Sequence, residues 1–416
     1  MELKKYKLGE IAEINQSTLN HKDSIKEILY LDTSSITDNE IFETQRLQIE
    51  EAPSRAQRKV KDKTILYSTV RPRLKHHGIL SNPPANLIVS TGFATLDVKT
   101  QYKNLIDPTY LYLALTQPII NEYIANIADT AVSAYPSINP SDLSSLKLTF
   151  PDFINQKYLA DVWHNLDKKI ALNKQINDNL EAMAKQLYDY WFVQFDFPNG
   201  EGKPYKASGG KMVWNEKLKR EIPEGWSASN ICKIADILSG GTPSKSIAEY
   251  WDKGNIPFFG PTDCDGSMFQ LDTSDHITGK GLNHCASSLF EDGDIIITAR
   301  GSIGKLVIVG TPMAMNQSCY ALRSNKREYE YLYFLTHQLI ECLKAKGSGS
   351  VFKSIITSDI ENSNLCIGDE KTITSYCQTV ASMFAQIKSN QQEIAELTKQ
   401  RDELLPLLMN GQATVN

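Results

Sequence analysis

The sequence has no uninterrupted apolar run long enough to span a membrane, which takes about 20 residues. Its first residues, MELKKY, lack the apolar core of a secretory signal. The seven cysteines are scattered without a CxxC pair, which favours reduced thiols over a disulfide framework. We therefore expect a cytoplasmic protein with no membrane partner.

The sequence also lacks an excess of positive charge, since 44 Lys and Arg oppose 49 Asp and Glu for a net charge of -5. A protein coated with cations is excluded, but local clusters can still bind nucleic acid. Residues 55–77 hold eight basic side chains against one acid, and residues 296–327 hold five against none. Each run taken alone is also compatible with a solvated surface.

Sequence motifs for nucleotide binding are incomplete. The run Gly301–Leu306 resembles a phosphate loop, but its spacing is wrong and Leu306 replaces the hydroxyl that binds metal. The run Gly240–Lys245 fails because Ser244 stands where glycine must precede the lysine. We therefore expect no nucleotide site in this chain.

Motifs for catalysis on DNA or at a metal fail as well. Asn82-Pro83-Pro84 resembles an amino-methyltransferase motif, but Ala85 cannot stack on a flipped base. Two cysteines and two histidines between residues 264 and 285 match no zinc spacing. Glu201 and Lys203 lie in a Pro/Gly-rich loop and not on a nuclease strand. The sequence therefore predicts a recognition protein with no catalysis, metal or cofactor of its own.

The two halves of the chain repeat the same motifs in the same order, with separations that vary as loop insertions would produce. The matching pairs are Ile11–Ile14 with Ile234–Ile237, Asp62–Leu66 with Asp292–Ile296, Thr69-Val70-Arg71 with Thr298-Ala299-Arg300, Gly92–Ala94 with Cys319–Ala321, Tyr110–Leu113 with Tyr331–Phe334, Ser141–Leu143 with Ser358–Ile360, and Ile170/Asn173 with Ile387/Asn390. The sequence therefore predicts a tandem duplication.

Each repeat follows the same plan of short strands, a short helix and a long helix. Apolar runs between Gly, Pro, Asn and Asp predict strands and turns, including a hairpin formed by Ile295–Ile297 and Leu306–Val309. The short helix is expected around Tyr110–Tyr123 in the first repeat and Tyr331–Leu343 in the second. A Pro/Gly-rich connector, Phe197–Trp226, separates the repeats.

The long helices, expected at about Ile154–Phe192 and Lys371–Met409, carry heptad patterns typical of a coiled coil. The first has a row at Leu159, Leu166, Asn173, Leu180 and Leu187, and a second row at Val162, Ile176, Met183 and Tyr190. The equivalent row of the second helix is Met383, Asn390, Leu397 and Leu404, flanked by Ile387 and Ile394. We expect the helices to pair antiparallel, with Asn173 as a buried polar residue that fixes their register.

This organisation resembles the specificity subunit of type I restriction–modification systems over essentially the whole chain. The stretches that carry the resemblance are Ser239–Ser244 (SGGTPS), Thr298–Gly304 (TARGSIG), Tyr67–Pro72 (YSTVRP), Ser358–Glu361 (SDIE) and the run from Trp191-Phe192-Val193 to Gly225-Trp226. Because they occur in the order of the family, together they are far more specific than any one alone.

The resemblance implies an α+β protein with two similar target-recognition domains joined by two long antiparallel coiled-coil helices in pseudo-two-fold symmetry. Each domain would read one half of an interrupted double-stranded DNA site, and the helices would set the gap and dock two methyltransferase subunits. S-adenosylmethionine would belong to those subunits, and ATP and Mg²⁺ to the restriction/motor subunits. The expected divisions are recognition domains at 1–152 and 226–369, helical segments at 153–193 and 370–416, and a connector at 194–225.

The basic runs and the family motifs supply the candidate DNA contacts. Arg71 and Arg300 are the leading candidates for base contacts, because arginine can bind guanine through two hydrogen bonds. Lys59, Lys61 and Lys63 are expected to contact phosphates and to make binding depend on salt. The further candidates are Arg73, Lys75, Tyr135, Thr242, Lys245, Lys305 and Lys353.

Two other classes remain open at this point. A coiled-coil scaffold would pair proteins without binding DNA, and salt-sensitive binding to a duplex separates it from a specificity subunit. A stand-alone methyltransferase or nuclease would need a cofactor site that the sequence lacks, and methylation of DNA by the purified chain alone would reveal it.

Arg71→Ala is expected to weaken recognition of one half-site and Arg300→Ala recognition of the other, because each arginine lies in a different repeat. Binding to duplexes altered in one half at a time measures the effect, at roughly 1–3 kcal/mol for a lost bidentate contact. Equal weakening of both halves by either substitution would contradict the assignment of two readers.

Overall fold

The computed structural model describes residues 3–20, 23, 25–130, 136–346 and 354–409, without the side chains of residues 346, 404 and 405. Two compact units make up the chain, one formed by Met1–Lys168 with Leu397–Asn416 and the other by Lys169–Glu396. The long helices α5 (Phe153–Tyr188) and α9 (Glu370–Met409) each contribute to both.

The other elements of the first unit are short strands with helices between them. In chain order they are β1 Lys4–Lys7, α1 Leu8–Ile11, β2 Ala12–Ile14, β3 Glu27–Leu31, β4 Ile36–Thr37, β5 Glu40–Ile41, β6 Gln45–Gln48, β7 Ala56–Lys59, β8 Ile65–Ser68, β9 His77–Ile79, β10 Leu87–Ser90, β11 Phe93–Val98, α2 Pro108–Leu115, α3 Pro118–Asp129, α4 Pro140–Ser145 and β12 Lys147–Phe150.

The second unit repeats this succession after a connecting hairpin. Its elements are β13 Met212–Asn215, β14 Arg220–Pro223, β15 Ser227–Ser229, β16 Ala235–Ser239, β17 Ile256–Phe259, β18 Phe269–Gln270, β19 Asp275–Ile277, α6 Gly279–Asn283, β20 Ile295–Thr298, β21 Leu306–Val309, β22 Ala314–Met315, β23 Cys319–Ser324, α7 Tyr329–Lys346, α8 Thr357–Glu361 and β24 Leu365–Ile367.

Strand pairing confirms the predicted duplication. The sheet β2-β11-β8-β9 of the first unit corresponds to β16-β23-β20-β21 of the second, and the parallel pair β3/β10 corresponds to β17/β22. In the first unit Leu96 pairs with both Ile14 and Ile65. In the second unit Leu322 pairs with both Ile237 and Ile295. The matches of these isoleucines in the sequence are therefore matches in the fold.

The ends of the repeats are also built alike. The short helices α4 and α8, which precede the long helices, begin with the same hydrogen bond. The side chain of Asp142 accepts the N–H of Asn139 at 2.8 Å, and that of Asp359 accepts the N–H of Ile356 at 3.0 Å. At the start of α5, Asp152 accepts from the N–H of Ile154 and Asn155. Hydrogen bonding to these backbone groups lowers the pKa of Asp152. Such caps satisfy donors that a helix leaves unpaired at its first turn.

Each unit has its own hydrophobic core against one face of its sheet. In the first unit α2 and β8 contribute fully buried side chains, Tyr110 and Tyr67 among them, and Trp163 of α5 joins them. In the second unit Tyr188, Tyr331 and Phe384 belong to a large aromatic cluster that unites α5, α7 and α9 with the sheet. The long helices are therefore part of the cores and not appendages.

One predicted element differs from the structure. The expected helix Tyr110–Tyr123 is two helices that break before Pro118, because proline lacks a backbone N–H and disfavours helical geometry in the preceding residue. The predicted connector contains the hairpin β13/β14, in which Asn215 accepts the N–H groups of Lys217 and Leu218. The predicted hairpin β20/β21 is confirmed.

The long helices run antiparallel where they contact each other within the second unit. The Nδ2 of Asn390 donates to Asn177 at 2.8 Å, and the Nδ2 of Asn173 donates to Glu393 at 2.8 Å. Later in α5 the Ala184 carbonyl accepts from the Tyr376 hydroxyl at 3.0 Å. Higher residue numbers on α5 thus meet lower residue numbers on α9, which defines an antiparallel pair. Asn173, expected as the buried polar residue, is 7% exposed.

The first predicted heptad row lies on the packed side of the helices. Leu159, Asn173, Asn390 and Leu397 are buried, while Leu166, Leu180, Leu187 and Met383 are partly buried, and the side chain of Leu404 lies outside the described residues. Their role in binding a partner stays a prediction.

The second predicted row of α5 is wrong by one residue. Ile176 and Met183 are 37% and 53% exposed, and Val162 and Tyr190 are partly exposed. The buried row lies one residue later, at Trp163, Ile170, Asn177, Ala184 and Trp191. Of these, Asn177, Ala184 and Trp191 contact α9. The apolar character of Ile176 and Met183 favoured the wrong row, since Asn177 and Ala184 are unusual at such positions.

Asn177→Ala is expected to lower the free energy of unfolding by about 1–3 kcal/mol, because the amide of Asn390 loses its acceptor inside the seam. Denaturation followed by circular dichroism measures the change. Asn179→Ala, at an exposed position on the same helix, is the matched control. Similar losses in both variants would contradict a special role for the buried amide pair.

Candidate nucleic-acid interface

In the first unit three strands end at one edge of the domain. The parallel strands β3 and β10 finish side by side, and the N–H of Thr91 after β10 donates to the carbonyl of Arg55 at 2.8 Å. After β8, the N–H of Thr69 donates to the carbonyl of Gly92 at 2.9 Å. We define the first edge as residues 32–34, 69–75 and 91–92. It gathers loops that a rigid sheet positions.

The turn between β8 and β9 holds Arg71 in a constrained conformation. Arg71 has φ 48° and Lys75 has φ 53°, which are uncommon for residues with a side chain. The N–H of Arg71 donates to the carbonyl of Pro136 at 2.9 Å, and its own carbonyl accepts from Leu74. The Arg71 side chain is exposed at this edge, as a DNA contact requires. Tyr135, another candidate, lies outside the described residues.

Arg73 lies on the same turn but is engaged by helix α3. Its guanidinium donates to Glu122 at 2.6 Å and to Asp129 at 3.0 Å. The hydrogen bond to Glu122 is the main cause of the raised pKa of Arg73. This arrangement ties the turn to α3, so a contact of Arg73 with DNA remains a prediction that would require breaking these pairs.

The basic run 55–77 does not form one patch. Lys59 and Lys63 lie at the opposite end of the strands from Arg71, since β8 separates Lys63 from Arg71 by about 13 Å of extended chain. Lys59 pairs with Asp23 at 2.8 Å, and Lys61 lies 3.4 Å from Asp97. The Lys63 side chain is exposed. Phosphate contacts by these three lysines stay predictions.

The second unit has an edge of the same construction. The parallel strands β17 and β22 end together, and the N–H of Asn316 donates to the carbonyl of Phe259 at 3.0 Å. After β20 the N–H of Ala299 donates to Ser318 at 2.8 Å, and Gly241 donates to Met315 at 3.0 Å. We define the second edge as residues 240–242, 260–263, 299–304 and 316–318.

The candidates of the second unit differ in how they are used. Arg300 is exposed, and no carboxylate of residues 136–346 or 354–409 forms an ion pair with it. Lys305 donates to the Cys264 carbonyl at 2.9 Å, which makes it part of the turn. Lys245 is 3.6 Å from Asp275 and lies over the ring of Trp251. Lys353 lies outside the described residues.

The two Thr-x-Arg turns match one residue out of register. Thr69 and Ala299 occupy the same place, since each donates across the edge and each accepts from a downstream isoleucine, Ile138 at 2.9 Å and Ile355 at 3.0 Å. Arg71 therefore corresponds to Gly301, which also has a positive φ, 76°. The turn is one residue longer in the first unit, and the sequence match placed this difference before Thr69 instead of within the turn.

Thr242 and Gln317 form a contact at the second edge that sequence reasoning found only in part. The Thr242 hydroxyl donates to Oε1 of Gln317 at 2.5 Å, and both residues are exposed. Thr242 was a candidate, whereas Gln317 was missed. The only signal for it was a polar triplet, Asn316-Gln317-Ser318, between two buried strands.

Neither a metal centre nor a membrane span is found in the described part of the chain. Within residues 3–20, 23, 25–130, 136–346 and 354–409, no three His, Cys, Asp or Glu side chains are grouped to hold a metal ion. No helix in those ranges combines the length and apolar character needed to cross a membrane.

Comparison with known families matches both repeats separately. The family model for the type I restriction modification DNA specificity domain matches residues 1–182 and again residues 223–405. The chain belongs to this family. Family membership establishes a DNA sequence-specificity role and does not favour the scaffold that never binds DNA.

Similar proteins span the same length. The type I restriction enzyme HindI specificity subunit of Haemophilus influenzae is 26% identical, covering 98% of this chain and 99% of its own length. The MjaIX specificity subunit of Methanocaldococcus jannaschii is 26% identical, covering 100% and 94%. The crystal structure of the S subunit from M. genitalium covers 100% of this chain and 97% of its own, with 15% identity and a TM-score of 0.55, which supports the fold.

The family motif at Ser239–Ser244 has a packing reason for its glycines. A Cβ on Gly240 would lie 2.2 Å from the Asn316 carbonyl oxygen, and one on Gly241 would lie 2.8 Å from the Ala286 nitrogen. Only glycine lets these backbones approach so closely. The motif therefore places Thr242 at the second edge.

Gly241→Ala is expected to destabilise the protein by a few kcal/mol, because backbone atoms cannot yield to the added methyl group. Thermal unfolding measures the loss. Gly279→Ala adds the same methyl group where no atom lies within 4 Å and should leave the melting temperature nearly unchanged. A tolerated Gly241→Ala would show that the motif is not fixed by packing.

Proposed function

We propose that this chain specifies an interrupted DNA site for a type I restriction–modification complex, with each repeat reading one half. The observation that carries the proposal is the duplication of one edge in two units, each with an exposed arginine on an equivalent turn. Equivalent scaffolds with different side chains are what a bipartite, asymmetric site requires. Loops on a shared sheet can change sequence while the sheet stays the same.

The side chains that differ between the two edges support separate reading. At equivalent positions the first edge has Val70 and Thr91 where the second has Arg300 and Gln317. Threonine and apolar groups contact the thymine methyl, whereas arginine favours guanine. We infer that the half-sites are unrelated in sequence.

The chain is proposed to leave chemistry to its partners. Methyltransferase subunits would bring S-adenosylmethionine, and restriction subunits would bring ATP, Mg²⁺ and cleavage. Support for this division comes from the lack of a nucleotide motif and from the similarity to specificity subunits along the whole chain. Two methyltransferase subunits would fit a duplicated chain.

An exposed apolar stripe on α5 is the proposed docking surface for one methyltransferase subunit. Within the second unit it comprises Leu172, Ile176 and Met183, which are 51%, 37% and 53% exposed. Their spacing of four and seven residues puts them on one side of the helix. They lie off the seam with α9, so they are available to a second protein.

Ile176→Glu is expected to reduce recovery of the methyltransferase subunit with this chain at least tenfold, because a charge replaces buried apolar surface in the complex. Copurification and native mass spectrometry measure binding and stoichiometry. The control is Gln175→Glu, which adds the same single negative charge at a neighbouring exposed position. Undiminished recovery with Ile176→Glu would contradict docking on this stripe.

The DNA proposal is tested with the methyltransferase complex acting on a plasmid library of random sequence. Sequencing of methylated adenines should reveal one motif with two separated halves, and the chain alone should methylate nothing. A continuous motif, or methylation by the chain without partners, would contradict the proposed division of roles.

A further inference from the structure

Gln317 lies at the tip of the tight turn that joins β22 to β23 in the second edge. The N–H of Asn316 donates to Phe259, and Oδ1 of Asn316 accepts the N–H of Ser318 at 2.9 Å. These bonds hold the residues on both sides of Gln317. The Gln317 side chain points from a fixed backbone and is exposed.

The strand ladder brings Gln317 beside Arg300. Thr298 pairs with Cys319, and the N–H of Ala299 donates to the carbonyl of Ser318 at 2.8 Å. The next residues along the two backbones are Arg300 and Gln317. Residues opposite each other in an antiparallel pair have Cβ atoms about 5 Å apart, so their side chains can reach neighbouring bases. The two exposed side chains can therefore act on the same groove.

In the structure Thr242 contacts the Gln317 amide on its oxygen side. A glutamine amide has an acceptor oxygen and a donor nitrogen, and free rotation would let it present either. The Thr242 hydroxyl donates to Oε1 of Gln317, and Thr242 is itself placed by the close packing of Gly240 and Gly241. The nitrogen, with its two N–H donors, is left on the solvent side.

We propose that Gln317 is a specificity-determining residue that reads a base with acceptors and no donor on its major-groove edge, guanine or thymine, next to the base contacted by Arg300. Guanine offers N7 and O6 and thymine offers O4, whereas the amino groups of adenine and cytosine are donors on that edge. The inference rests on the proposed DNA-reading function. Thr242 is a positioning residue that holds the amide oxygen and leaves the nitrogen toward solvent.

Three variants test the proposal in the methyltransferase complex. Gln317→Ala removes the donors and should reduce the preference at one position of one half-site by about tenfold. Gln317→Glu presents only acceptors and should shift that preference toward cytosine. Thr242→Val removes the hydrogen bond to the amide and should relax the preference at the same position of the same half-site. Gln101→Ala, at an exposed site in the first unit, is the control.

Methylation rates are measured on duplexes that carry each of the four bases at every position of both half-sites. Unchanged preference for the other half-site shows that each variant is folded and assembled. The proposal is overturned if Gln317→Ala changes no position, or if it weakens both half-sites equally. If the wild-type complex shows no interrupted motif, the proposed function itself fails. If the wild-type complex shows the motif and the Gln317 variants behave like wild type, only the role of Gln317 fails.

Discussion

The antiparallel alignment of the two long helices is the constraint on which the second unit depends. Asn177 and Asn390 bond to each other inside the seam, and Asn173 bonds to Glu393 at its margin. Sliding one helix along the other would leave buried amides unpaired, at a cost of about 1–3 kcal/mol for each group. The polar residues in an otherwise apolar seam thus select one alignment.

That alignment carries over to the recognition sheet, because the same helices complete its core. Phe384 of α9 packs against Tyr333 of α7 and Phe269 of β18, and Gln391 accepts the N–H of Phe269 at 3.0 Å. The position of the sheet relative to the helices within this unit is therefore fixed by buried contacts. An edge that reads DNA gains from such support, since specificity needs side chains held in place.

The sequence was most informative where the pattern follows the backbone. The repeat follows from motifs that recur in the same order, and the long helices and the hairpin β20/β21 follow from apolar periodicity and turn residues. The structure confirms all three. It was least informative where one residue shifts a side chain. The match of Arg71 to Arg300 failed because the turn of the first unit has one more residue. The row with Ile176 failed because its apolar side chains suggested burial, whereas the buried row lies one residue later and includes Asn177 and Ala184. The sequence shows Gln317 only as part of a polar triplet, since its contact is with a residue 75 positions away.

The central claim is that this one chain determines an interrupted site through two separate readers. Single-molecule sequencing of host DNA, with and without the gene for this chain, tests it most directly. We predict that removal of the gene abolishes methylation of one adenine motif composed of two unrelated halves and a fixed gap, and leaves every other motif intact. An unchanged methylome in a host that expresses the methyltransferase subunits would contradict the claim.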